Sequence, residues 1–146
     1  MLDGVVRASA DDRLEDAFDV RHEVFVEGQG VPVDLERDDR DDQPSTLHFV
    51  AYDEGRPVGA ARLCPAGDGV GKVQRVAVRE PDRGRGWGHR LMAALEDAAR
   101  GAGYDRLELD AQTHAVAFYE RLGYEVTSDE VFTDAGIPHL SMAKDL

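Results

Sequence analysis

Between Val76 and Leu91 the chain reads Val-Ala-Val-Arg-Glu-Pro-Asp-Arg-Gly-Arg-Gly-Trp-Gly-His-Arg-Leu. A strand-like end and a turn at Pro81 lead through alternating glycines directly into a helix pattern. A helix start leaves backbone N–H groups without intrahelical partners and carries positive partial charge. With no Cβ at Gly84, Gly86 and Gly88, a phosphate can approach those N–H groups closely. Arg79, Arg83, Arg85 and Arg90 fall within the same stretch, on a chain whose net charge is −13. That local positive excess is what an anionic ligand requires. Glycines before a helix also fit a flexible turn, so the pattern must be read against known phosphate motifs. A P-loop needs Lys-Ser/Thr after its last glycine, and here His89-Arg90 follows. A dinucleotide fingerprint needs Gly-x-Gly-x-x-Gly, whereas the spacing here is Gly-x-Gly-x-Gly.

Arg83-Gly84-Arg85-Gly86-Trp87-Gly88 resembles the pyrophosphate loop of the GNAT superfamily of N-acetyltransferases, which reads Gln/Arg-x-x-Gly-x-Gly/Ala after a Val-x-Val strand. Downstream, Ala117-Phe118-Tyr119-Glu120-Arg121-Leu122-Gly123-Tyr124 resembles that family's Phe-Tyr-x-x-x-Gly-Phe helix. The outer motifs are similar to the ElaA-like branch. They comprise Arg21-x-x-Val24-Phe25-Val26 with Gln29 and Pro32, His48 opening a strand, Gln112-x-His114, and Gly136-Ile137-Pro138-His139-x-x-Met142. The resemblance spans nearly the whole chain.

It implies acetyl-CoA as co-substrate, no metal, and transfer of the acetyl group to an amine. Val76, Ala77 and Val78 would hold the pantetheine arm in a V-shaped opening between two strands. Amides from Arg83 through Gly84, Arg85, Gly86, Trp87 and Gly88 to His89 would hold the pyrophosphate. Phe118 would pack beside the thioester, and Tyr119 would protonate the departing thiolate. A phenol suits that task because it is protonated at neutral pH yet can donate in a transition state. The strand before the loop, Lys72-Val73-Gln74-Arg75, lacks the Glu that some members use as general base. Proton removal from the amine then falls to water, His48, His114 or His139. Trp87 is expected to pack the helix start against the sheet. Two other readings stay open: synthesis of acyl-homoserine lactones, which the Arg21 to Val26 region resembles distantly, and a coenzyme A-binding regulatory module without turnover.

The elements that must position these groups follow from periodicity. Gly4 to Ala8 reads as a strand, and Ser9 with Asp12 as a helix cap. Leu14, Ala17, Phe18, Arg21 and Phe25 recur at helical spacing before Gly28 and Gly30. Residues 31–46, rich in Asp and Glu, read as a mostly irregular surface segment. The resemblance implies that it borders the acceptor end, where its carboxylates either draw in a cationic amine or are ordinary solvated surface. His48 to Tyr52 and Pro57 to Cys64 flank a Gly-containing hairpin turn, and Lys72 to Val78 is a third strand. A helix with Leu91, Met92, Leu95, Ala98 and Ala99 on one face follows. Then come a strand at Tyr104 to Asp110, a helix at Ala115 to Leu122 and two tail strands. The order predicts an α/β (α+β) fold with a mixed, mostly antiparallel twisted sheet flanked by helices, in one domain over residues 1–146.

Bulk numbers narrow the partners. Thirty acids against seventeen bases, with Lys72 and Lys144 the two lysines, repel nucleic acid and anionic membrane alike. The expected partners are a small-molecule or peptide amine, with a homodimer allowed. Asp38-Asp39-Arg40-Asp41-Asp42 lacks the spaced ligands of a calcium loop. The acidity instead fits a salty, halophilic cytoplasm in which counterions screen self-repulsion. Met1-Leu2-Asp3-Gly4 opens without a secretory pattern, and the single Cys64 is compatible with a cytoplasmic protein and reads as a packed small hydrophobe.

Overall fold

The computed structural model describes residues 2–8 and 12–146. Strand β1 (Gly4–Ala8) pairs antiparallel with β2 (Leu47–Asp53), and β2 with β3 (Arg56–Gly67). The β2–β3 turn places Glu54 and Gly55 at φ 50° and 82°, the two left-handed positions that a tight hairpin of matching twist requires. Strand β4 (Val70–Val78) lies antiparallel to β3, and β5 (Arg106–Gln112) lies parallel to β4 after a crossover through α3 (Trp87–Gly101). The tail holds three strands rather than the expected two: β6 (Glu125–Val126), β7 (Phe132–Asp134) and β8 (Ile137–Asp145). The sheet order is β1-β2-β3-β4-β5-β8-β6, with β7 on β8. This is the mixed, mostly antiparallel α/β sheet that the element order predicts.

Helices cover both faces. On one, α1 (Asp12–Arg21) sets Ala17 and Val20 against Val50, Tyr52, Ala60 and Ala77. The chain then continues as a π-helical turn, His22–Glu27. On the other face α3 buries Leu91, Met92, Leu95 and Ala99 against Phe49, Ala61, Leu63 and Leu107. Each such large apolar side chain is worth about 1.5–3 kcal/mol of burial. Helix α4 (Val116–Arg121) adds Tyr119 to that second core. The cap expected at Ser9 lies outside the described residues.

The sheet splits in the middle. Pairing of β4 with β5 runs from Val70 and Arg106 to Val73 and Leu109 and stops there. Just beyond, Arg75 takes φ 58°, and the β3–β4 register shifts between Ala60 and Arg62. A bulge of this kind bends its strand, and here it turns the end of β4 away from β5.

The acidic segment departs from expectation. It forms α2 (Val33–Glu36) and a 3₁₀ turn at Asp39–Asp42, and both Glu36 and Asp41 are buried. Their partners explain why. Arg21, 1% exposed, binds Glu36 at 2.8 Å and Asp41 at 2.7 Å; Arg62, fully buried, binds Asp38 at 2.7 Å and Asp41 at 2.9 Å. Arg75 joins them through Glu36 at 3.3 Å. Three arginines meet three carboxylates, so buried ion pairs anchor a segment whose other side chains are mostly exposed.

Candidate active site

Where β4 and β5 part, a cleft of about 1130 Å³ passes between the two faces of the sheet. Val73 to Val78 of β4 form one wall and Leu109 to Gln112 of β5 the other. The π-helical turn and α2 close it on the α1 face, with Glu23, Phe25, Leu35 and Glu36. Ala115 and Tyr119 close it on the α3 face, and Asp134 to His139 of the β7–β8 hairpin border one end. The V-shaped opening expected between these strands is present, with β5 extending to Gln112.

The glycine loop leads from this cleft to the start of α3. Gly84 and Gly86 take φ 78° and 84°, and a Cβ added at either would meet nothing within 4 Å. Gly86 precedes α3, whose first turn receives no side-chain cap. The loop therefore offers open space and unclaimed backbone donors, which fits a pyrophosphate. Gly88 has a packing reason as well: a Cβ there would lie 3.2 Å from the Phe118 ring, so this glycine admits close packing of α3 on α4. Trp87 is buried in the core, with the Arg90 guanidinium 4.2 Å above its ring. Arg79 is paired with Glu23 at 2.8 Å, and Arg83 Nε donates to the Val78 carbonyl at 2.9 Å. Arg85 and His89 are exposed beside the loop. Part of the arginine cluster thus ties β4 and the loop in place.

Across the cleft Tyr119 is buried, with Phe118 edge-on at 5.0 Å and Tyr124 at 5.8 Å between ring centroids. Burial pushes its phenol pKa up to about 12. Among the described residues its hydroxyl makes no hydrogen bond, leaving the proton available to a ligand.

The three histidines separate. His114 and His139 both line the cleft. His114 Nε2 lies 2.7 Å from Gln112 Oε1, and His139 Nδ1 lies 2.7 Å from the Ile137 carbonyl, which can only accept. That bond leaves Nε2 as the basic nitrogen of neutral His139. His48 does not reach the cleft. It is buried against Phe18 with Nε2 3.2 Å from the Asp41 carbonyl, and burial lowers its pKa. His48 is therefore not placed to act as a general base in the cleft.

Sequence reasoning missed the Arg21–Arg62–Arg75 network that holds the α1-side wall of the cleft. Burial raises the Asp41 pKa, but hydrogen bonds and charge from Arg21 and then Arg62 outweigh it and hold the carboxyl far below its usual range. The available signals were Arg21 on an otherwise apolar helix stripe and Arg62 inside the apolar run Ala60-Ala61-Arg62-Leu63.

A sheet that opens beside an uncapped helix start can take an extended ligand with a phosphate at one end, and the chain's relatives place it among the acyltransferases. It belongs to the acetyltransferase (GNAT) domain family, whose model matches residues 13–146. An uncharacterized N-acetyltransferase of Bacillus subtilis is 46% identical over 96% of this chain and 98% of its own. A solved candidate N-acetyltransferase of Lactobacillus plantarum is 32% identical, with a TM-score of 0.88 over 97% of both chains. Escherichia coli ElaA shares the fold at 24% identity, with a TM-score of 0.85 over 99% of this chain and 100% of its own.

Proposed function

We propose that the chain moves an acetyl group from acetyl-CoA to a primary amine by direct attack in a ternary complex, with Tyr119 as general acid. The observation that carries this reading is a buried, unpartnered phenol facing the gap between β4 and β5. Acetyl-CoA supplies an activated thioester carbonyl. The amides of Arg83 through His89 would hold its pyrophosphate at the start of α3. Val76, Ala77 and Val78, on the free edge of β4, would hold the pantetheine arm, and a backbone N–H near Val78 would polarise the carbonyl.

As the amine nitrogen bonds to the acetyl carbon and the carbon–sulfur bond breaks, the Tyr119 phenol gives its proton to the departing sulfur. The amine's own proton leaves to water or to the imidazoles of His114 and His139. Direct transfer is favoured over an acyl-enzyme because Cys64, the chain's one thiol, is buried behind Gln74 and does not line the cleft. Tyr119→Phe should lower kcat by roughly 10²–10⁴, the range for a lost general acid, while acetyl-CoA still raises the melting temperature. Turnover within a factor of about three of the parent would reduce Tyr119 to packing.

A further inference from the structure

The cleft does not share the acidity of the chain around it. Thirty acids face seventeen bases overall, but five acids line the cleft against four bases. Three of the five are already engaged. Glu23 holds Arg79 at 2.8 Å, Glu36 holds Arg21 at 2.8 Å, and Asp110 holds Lys72 at 3.1 Å and accepts from Ser141 at 2.9 Å. The other two, Glu80 and Asp134, are exposed.

What remains on the α1 side is neutral. Gln112 Nε2 donates to Gln29 Oε1 at 2.9 Å, and His114 meets the same glutamine. Beside these amides stand Phe25, Val31 and Leu35. Leu35 is 57% exposed and Val33, on the same helical turn, 52%; they are two of the four strongly exposed large hydrophobics among the described residues. Arg75 keeps that turn in place by donating to the carbonyls of Leu35 at 3.1 Å and Glu36 at 3.0 Å. Of the two, Leu35 lines the cleft, so with Phe25 and Val31 it sets an apolar edge that a ligand's hydrocarbon would cover.

Resting on the acetyltransferase reading above, we propose that the acceptor is a primary amine on an apolar body, an alkyl- or aralkylamine with no second positive charge. Its hydrocarbon would cover Leu35, Phe25 and Val31 while its amino group lies toward Gln112 and the two histidines. A polyamine or free lysine gains little here. A second positive charge set against Phe25, Val31 and Leu35 would be desolvated with no carboxylate on that edge to meet it. The two unengaged ones, Glu80 and Asp134, lie on other elements, the turn after β4 and the β7–β8 hairpin.

The test is thiol release from acetyl-CoA with phenethylamine, spermidine and free lysine. Phenethylamine should give a kcat/KM at least about tenfold above the other two. Leu35→Asp, at an exposed position that leaves the core intact, should raise the phenethylamine KM about tenfold and leave the acetyl-CoA KM unchanged. Preference for spermidine or free lysine, or indifference to Leu35→Asp, would overturn the proposal while leaving acetyl transfer to amines in place. Absence of thiol release with every amine, despite a thermal shift with acetyl-CoA, would instead overturn the acetyltransferase reading and this proposal with it.

Discussion

Gly86 and Gly88 stand two residues apart and do different work. Gly86 sits at φ 84° facing open space, while Gly88 faces the Phe118 ring at 3.2 Å. At about 100 times its Kd, acetyl-CoA should stabilise the protein by ~2.7 kcal/mol. Gly86→Val should cost the free protein about 1–2 kcal/mol in left-handed backbone strain and remove most of the ligand shift. Gly88→Ala should lower the melting temperature of the free protein through crowding of α3 on α4. Differential scanning fluorimetry with and without acetyl-CoA separates the two, and an undiminished shift in Gly86→Val would remove this loop from the binding site. Tyr119 carries a second consequence. With its phenol pushed up to about 12, it stays protonated through pH 10, so kcat should show no falling limb from this group below that pH. A limb near pH 9 that vanishes in Tyr119→Phe would contradict the burial described here.

Among the elements, the acidic segment behaves as a clamp. Asp41 accepts from both Arg21 and Arg62, so removing it leaves two buried guanidinium groups with Glu36 and Asp38 as their remaining carboxylates and takes one negative charge out of the buried network. Asp41→Ala should therefore cost about 3–5 kcal/mol in urea unfolding, whereas Asp39→Ala, at an exposed position, should stay within about 0.5 kcal/mol. Equal costs would show that the buried pairs contribute nothing specific. This clamp is also where the sequence was hardest to read. The β2–β3 hairpin, the glycine loop and the Leu91–Ala99 helix face were legible because turn geometry, missing Cβ atoms and helical periodicity act within a few residues. The resemblance located Tyr119, and the fold puts it in the cleft. The clamp joins residues 21, 36, 41, 62 and 75, which meet only after α1, α2, β3 and β4 have packed. Composition counted those carboxylates as surface charge, because nothing local tells an Asp bound for a buried arginine from a solvated one. The left-handed Arg75 that bends β4 had no local signal either, since bulges answer to the neighbouring strand.

For the molecule as a whole, net charge and buried charge respond differently to the solvent. In molar KCl, where the −13 net charge is screened, the pH dependence should report the buried groups. His48 has a lowered pKa in the fold, so the unfolded chain takes up its proton first, and stability should begin to fall below about pH 6.5. Asp41, Asp38 and Asp82 have lowered carboxyl pKa values, held by Arg21, Arg62 and Arg56 respectively. Their contribution is fully present above about pH 4 and lost as the pH falls further, so the decline should steepen there. Salt at neutral pH tests the other half. Screening weakens exposed pairs such as Arg106–Asp145 and Arg100–Asp97, each worth at most about 1 kcal/mol, but leaves Arg21–Asp41 almost untouched. It also relieves repulsion spread over a surface with thirty acids and two lysines. The second effect acts on many more charge pairs than the first, so the melting temperature should rise steadily from dilute buffer to molar KCl. Potassium chloride is the proper salt for this comparison, because sulfate or phosphate would also strengthen apolar burial and confuse the sign. A melting temperature that is flat or falling across the KCl series would mean that the acidic surface is not an adaptation to salt.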